Sequence, residues 1–195
     1  MSIDSENKDD VALWECLHDG SLESLTHDRL NRTATLVVDV PYIWNFHKLP
    51  SESRFHIVLH DVVSVEAMKF YPWPGETIMP DGLTWNEQQS IRTETYAKGY
   101  LSSSEWASFD EKLKSGGDYE FSNAYLSTMN AAKTKFIGEI GDSSTNDYVT
   151  VRITADRMSF LIDPNQPMTL DEFLALGKAY WDDFADRASK YNASS

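Results

Sequence analysis

From Thr33 to Val40 apolar and polar positions alternate along the chain. Ala34, Leu36, Val38 and Val40 share one face, and Thr35, Val37 and Asp39 the other, which is the period of a β-strand. Arg54–His60 repeats the device, with Phe55, Ile57 and Leu59 inward and Arg54, His56, Val58 and His60 outward. A strand with one apolar face must pair with others to cover it. The spacing predicts a strand over Ser21–His27, joined to 33–40 by the polar connection Asp28–Arg32. Val63–Phe70 follows 54–60 across Asp61, completing a meander or Greek-key sheet of about four strands. Pro41 ends the second of these, and Tyr42–Ser53 reads as a loop anchored by Tyr42, Trp44 and Phe46.

Further along, alternation predicts strands over Ser90–Tyr100, Tyr119–Leu126 and Lys135–Ile140. Asp147–Thr154 and Met158–Ile162 flank Ala155-Asp156-Arg157 and read as a hairpin. The period changes twice. Ser102 and Glu105 stand at capping-box spacing ahead of Trp106, Phe109 and Leu113, and Gly116-Gly117 stops that helix. Thr169 and Glu172 repeat the box, and Leu170, Phe173, Leu174, Gly177, Tyr180, Trp181, Phe184 and Ala188 recur at helical steps. The expected architecture is α+β: an antiparallel β-sandwich or barrel-like sheet of some eight strands, with a short middle helix and a C-terminal helix. Residues 1–12 are expected to form a flexible arm, and 13–195 a single domain.

Composition adds boundaries. Of 195 residues, 41% are hydrophobic and 25% charged, the balance of a soluble globular chain. Cys16 is the single cysteine, which excludes an internal disulfide and a multi-cysteine zinc site. The opening MSIDSENKDD lacks a secretory apolar region, and no apolar run is long enough to span a bilayer. A cytoplasmic location is the expectation, with no membrane partner. The formal charge of −14 arises from 31 acidic and 17 basic side chains spread along the chain. Such a surface opposes direct nucleic-acid binding, which needs clustered Lys and Arg, and is suited to a basic protein partner.

Motifs for chemistry are sparse. No phosphate-cradling glycine loop, nucleophile elbow or H-E-x-x-H occurs, so no catalytic, cofactor or metal-binding residue is assigned. The five histidines, His18, His27, His47, His56 and His60, crowd into 43 positions. His56 and His60 share a strand face yet sit about 13 Å apart at the usual rise, too far for one ion. His18, Asp19 and His27 are the first candidates should a hydrolase centre exist. The segment from Tyr71 to Gln89 is rich in proline and tryptophan. It reads as an ordered loop whose Trp73 and Trp85 lid one end of the β core. In the alternative, Trp73, Glu76 and Trp85 form a carbohydrate or small-molecule site, or that of a hydrolase. On the C-terminal helix, Asp182, Asp183 and Asp186 are candidates for presenting charge to a basic partner.

The run W-x-x-LHDG-S-L between Trp14 and Leu22, with Asp28, Leu36 and Val62–Val65 beyond it, resembles small β-rich bacterial proteins of unknown function. More loosely it is similar to the immunity proteins of polymorphic toxin systems. Asp61 stands where a glycine often precedes the valine. The Trp73 loop and the C-terminal helix have no counterpart in that pattern. The resemblance implies a bacterial β-sandwich or half-barrel binder without catalytic residues. The functional expectation is therefore a non-catalytic macromolecule-binding protein, an immunity-type inhibitor.

Overall fold

A computed structural model describes residues 11–70, 98–116, 119–130, 133–142 and 147–192. In chain order these form β1 (Val11–Ala12), α1 (Trp14–Leu17), β2 (Ser21–Asp28), β3 (Thr33–Asp39), α2 (Pro41–His47), β4 (Phe55–His60), β5 (Ser64–Phe70) and β6 (Lys98–Tyr100). Then follow α3 (Ser103–Lys114), β7 (Tyr119–Asn130), β8 (Lys133–Asp142), β9 (Asp147–Ala155), β10 (Arg157–Ile162), β11 (Gln166–Met168) and α4 (Leu170–Asn192). The fold is α+β and its described strand pairings are antiparallel. The strands lie in the order β11-β10-β4-β3-β2-β7-β8-β9-β5-β6, with β1 on β7. That path has two ends and does not close into a barrel.

Alternation explains which face is buried. Ala34, Leu36 and Val38 on β3 and Phe55, Ile57 and Leu59 on β4 are at most 1% exposed. They form one core with Phe121, Phe136, Val151, Ile153 and Phe160 from the other strands. Transfer of such side chains from water, at about 1.5–3 kcal/mol each, supplies the main drive for folding.

The Ala155-Asp156-Arg157 hairpin does not form. β9 pairs with β8 and β5, whereas β10 pairs with β4 and β11. Residues 147–162 instead make one bent strand, and 55–70 make another running against it. Phe55 faces Ile162, His60 faces Arg157, Ser64 faces Thr154 and Phe70 faces Tyr148. At the bend three residues, 61–63, stand opposite two, 155–156, as in a bulge that kinks a ladder. Asp61 takes a positive φ of 55° there. Its carboxylate accepts a 3.1 Å hydrogen bond from Arg157, and the Val63 amide bonds the Thr154 carbonyl at 2.8 Å. Both strands thus pass from one half of the sheet to the other, which wraps the sheet around its core.

Tyr42–Ser53 is also more regular than its loop reading. Pro41 occupies the first turn of α2, where a missing N–H costs nothing and a fixed φ favours the helix. The helix ends at Lys48, in the left-handed region at φ 56°. Val11 and Ala12, the end of the expected arm, pair as a strand with Leu126 and Tyr125. Residues 1–10 lie outside the described residues, as does the Ser90–Tyr100 strand before Lys98. Among the described residues no helix is long and apolar enough to cross a membrane.

Candidate functional site

Where α1, α2 and α4 meet, a group of aromatic side chains comes to the surface. Its foundation is a close backbone contact. A Cβ on Gly177 of α4 would collide with the Glu15 carbonyl of α1, so only glycine lets the two helices approach this far. Beneath it Phe173 is fully buried, stacked on Phe160 at 4.6 Å and edge-on to Phe55 at 4.7 Å. Cys16 is buried beside these, its Sγ donating to the Phe173 carbonyl at 3.1 Å. Burial pushes that thiol up to about 12, which leaves it protonated and unreactive.

The rings are fixed on this base. Trp181 donates Nε1–H to the Glu15 carbonyl at 2.9 Å and stacks on Trp14 with centroids 5.0 Å apart and planes at 25°. His18 stands edge-on to both, at 5.0 Å and 6.1 Å. On the α2 side Tyr42 lies 4.5 Å from Tyr180 and 5.9 Å from Trp181, and Phe46 lies 5.8 Å from Tyr180. Trp181 spends its ring N–H on Glu15, and the buried Tyr42 hydroxyl has no hydrogen-bond partner among the described residues. Desolvation raises the pKa of that hydroxyl, so Tyr42 stays neutral. Trp14 and Phe46 are each 36% exposed, giving the patch two half-open faces. It can stack on planar or cationic groups.

His18 and Asp19 meet, contrary to what extended chain would give. Asp19 adopts a positive φ of 56° and brings its carboxylate 3.0 Å from His18 Nδ1. His27 sits at the far end of β2, about 20 Å away along the strand, so the three do not form one centre. His47 bonds the Leu176 carbonyl at 3.0 Å and His60 bonds Ser159 Oγ at 2.8 Å. His56 lies half-buried on β4, and desolvation lowers its pKa against the pull of Asp163 and Glu23. Among the described residues no three His, Cys, Asp or Glu side chains are grouped to hold a metal ion.

Asp182, Asp183 and Asp186 do lie on one helix, but they are not a bare acidic face. Asp182 is bonded to Lys178 at 2.7 Å and Asp183 to Arg187 at 2.7 Å, both four residues apart. Exposed pairs of this kind contribute about 0.3–0.5 kcal/mol, and they cancel charge that would steer a basic partner. Trp73, Glu76 and Trp85 fall outside the described residues.

The aromatic patch itself was not assembled from the sequence. Trp14, Tyr42 and Phe46 read as local anchors and Trp181 as part of the helical stripe, and their meeting depends on contacts more than 130 residues apart. The legible trace was Gly177, a glycine inside an otherwise strong helix pattern. Such a residue signals close backbone approach. Comparison with known proteins finds no matching family model, no matching curated protein and no matching solved structure.

Proposed function

We propose that this chain is a non-catalytic binding protein that recognises a basic macromolecule, in the manner of an immunity-type inhibitor. The observation that supports this reading is the half-exposed Trp14 ring stacked on Trp181 and held from below by Gly177 and Phe173. Tryptophan and tyrosine dominate binding hot spots because they bring large area at little conformational cost. A ring already locked by packing loses still less on association. The setting is acidic: Glu15 and Asp19 neighbour the patch, in a chain of formal charge −14. A guanidinium laid on an exposed Trp face gains about 0.5–2 kcal/mol, and the overall field speeds encounter with a basic surface.

Affinity capture from the source cells at low and high salt, followed by titration of the purified partner, tests this. The expected result is one stoichiometric basic protein whose affinity falls as salt screens the charge and falls about tenfold or more in Trp14→Ala. Binding insensitive to both changes would count against it. Capture of no macromolecule, with a saturable small-molecule response that disappears in Trp73→Ala, would replace it with the small-molecule reading.

A further inference from the structure

Trp14 offers a ligand a single ring face. Trp181 covers the other, its ring stacked 5.0 Å away at 25°, and His18 stands edge-on at 5.0 Å. Tyr42 and Tyr180 gather on Trp181 instead, at 5.9 Å and 5.1 Å. Trp14 keeps 36% of its surface open, and what is open is the face turned away from Trp181.

A carboxylate stands beside that face. Asp19 Oδ2 lies 3.0 Å from His18 Nδ1 and the Asp19 side chain is 66% exposed, so Oδ1 is open to a second donor. The backbone beneath it is fixed: the Asp19 amide bonds the Phe121 carbonyl at 3.0 Å, and the Gly20 amide the Leu17 carbonyl at 2.8 Å. Trp14, His18 and Asp19 form a row, with the imidazole between the ring and the acid. Lys178, three residues before Trp181 on α4, is bonded to Asp182 at 2.7 Å, so its charge is already answered.

We propose that the partner enters this row with an arginine side chain, its guanidinium laid on Trp14 and donating to Asp19 Oδ1. The inference rests on the reading of a basic partner and adds the residue type that the patch selects. A guanidinium is planar: it lies flat on one aromatic face while its N–H groups point outward in the plane, toward a carboxylate at the rim. A lysine ammonium is compact and strongly hydrated, and gains less from a single face. A quaternary ammonium is best held by several rings around it, and the second face of Trp14 is taken. Ring and carboxylate are both set before binding, so little ordering is left to be lost on association.

Three peptides of one glycine-serine frame, carrying arginine, lysine or trimethyllysine at the same three positions, serve as probes. They have equal charge, so the field of the chain attracts them alike. Calorimetric titration of the purified full chain at low salt should find the arginine peptide about tenfold tighter than the other two. Asn tolerates the positive φ of position 19, so Asp19→Asn should keep the backbone. It should weaken the arginine peptide about tenfold and leave the lysine peptide within about twofold. Trp14→Ala should abolish the preference. Equal affinity for arginine and lysine, both lost in Trp14→Ala, overturns the arginine assignment and leaves the basic-partner reading in place. An arginine preference untouched by Asp19→Asn also overturns it, as does failure of every peptide to bind. The broader reading falls by a different result, the capture of no basic macromolecule from the source cells.

Discussion

The α-carbon of Gly177 lies against the main-chain carbonyl of Glu15, with no room between them for a methyl group. This contact joins α4 to α1, and through α1 to β7, where the Leu13 amide bonds the Ala124 carbonyl at 2.9 Å. Gly177→Ala should gain about 1 kcal/mol of helix propensity and lose about 1–3 kcal/mol to overpacking. Since the clash is with backbone, which cannot swing aside, net destabilisation is expected in urea denaturation. A raised midpoint would show that the two helices have slack.

Phe173 and Phe184 lie on the same stripe and should respond very differently. Phe173 is fully buried between Phe55 and Phe160, so Phe173→Ala should cost about 3–5 kcal/mol. Phe184 is half open, and among the described residues its ring meets only those of Tyr180 and Trp181, so Phe184→Ala should cost about 1 kcal/mol or less. Equal losses on chemical denaturation at low protein concentration would mean that α4 is docked along its whole length.

Cys16 should resist thiol reagents in the folded protein and react only when the chain opens. The unfolded thiol ionises near 9.0 and the folded one only near 12. The native state thus holds its proton longer, and that contribution to stability is complete below pH 9.0 and is lost as pH rises toward 12. Denaturation midpoints from pH 8 upward should fall more steeply for the wild type than for Cys16→Ala. Rapid labelling at neutral pH without denaturant would contradict the burial.

Thr169 and Glu172 cap α4 reciprocally. Glu172 accepts from the Thr169 amide at 2.7 Å, and Thr169 Oγ1 accepts from the Glu172 amide at 3.2 Å. Thr169→Ala should cost about 1 kcal/mol. The Thr169 amide and hydroxyl hold the Glu172 carboxyl below its ordinary value of 4.5. A lowered carboxylate stabilises the fold above the unfolded pKa and loses that effect as pH falls through the folded one. The difference between wild type and Glu172→Gln should therefore be present at pH 6 and shrink below pH 4.5. A difference independent of pH would show that the amide caps as well as the ion.

Local pattern was enough for β3, β4, α3 and α4. Side chains that alternate or recur at helical steps declare their buried face, and a capping box marks a helix start through contacts three residues long. Pro41 shows how a local signal can mislead: it was legible as a strand terminator and is equally the first turn of a helix. Asp61 and Asp156 mark breaks in the alternation. A break alone does not distinguish a hairpin, which folds the chain back on itself, from a bend, which carries it into the other half of the sheet.

What the sequence by itself determined was the class of the fold, the half-buried strands and the capped helices, because hydrophobic period and caps are properties of neighbours along the chain. The tertiary structure alone decided that 55–70 and 147–162 pair as two bent strands. It also decided that Trp14 meets Trp181 and that Gly177 meets the Glu15 carbonyl. Each of those depends on residues far apart in the chain, where loop closure, burial and steric fit choose among pairings that the local pattern permits equally.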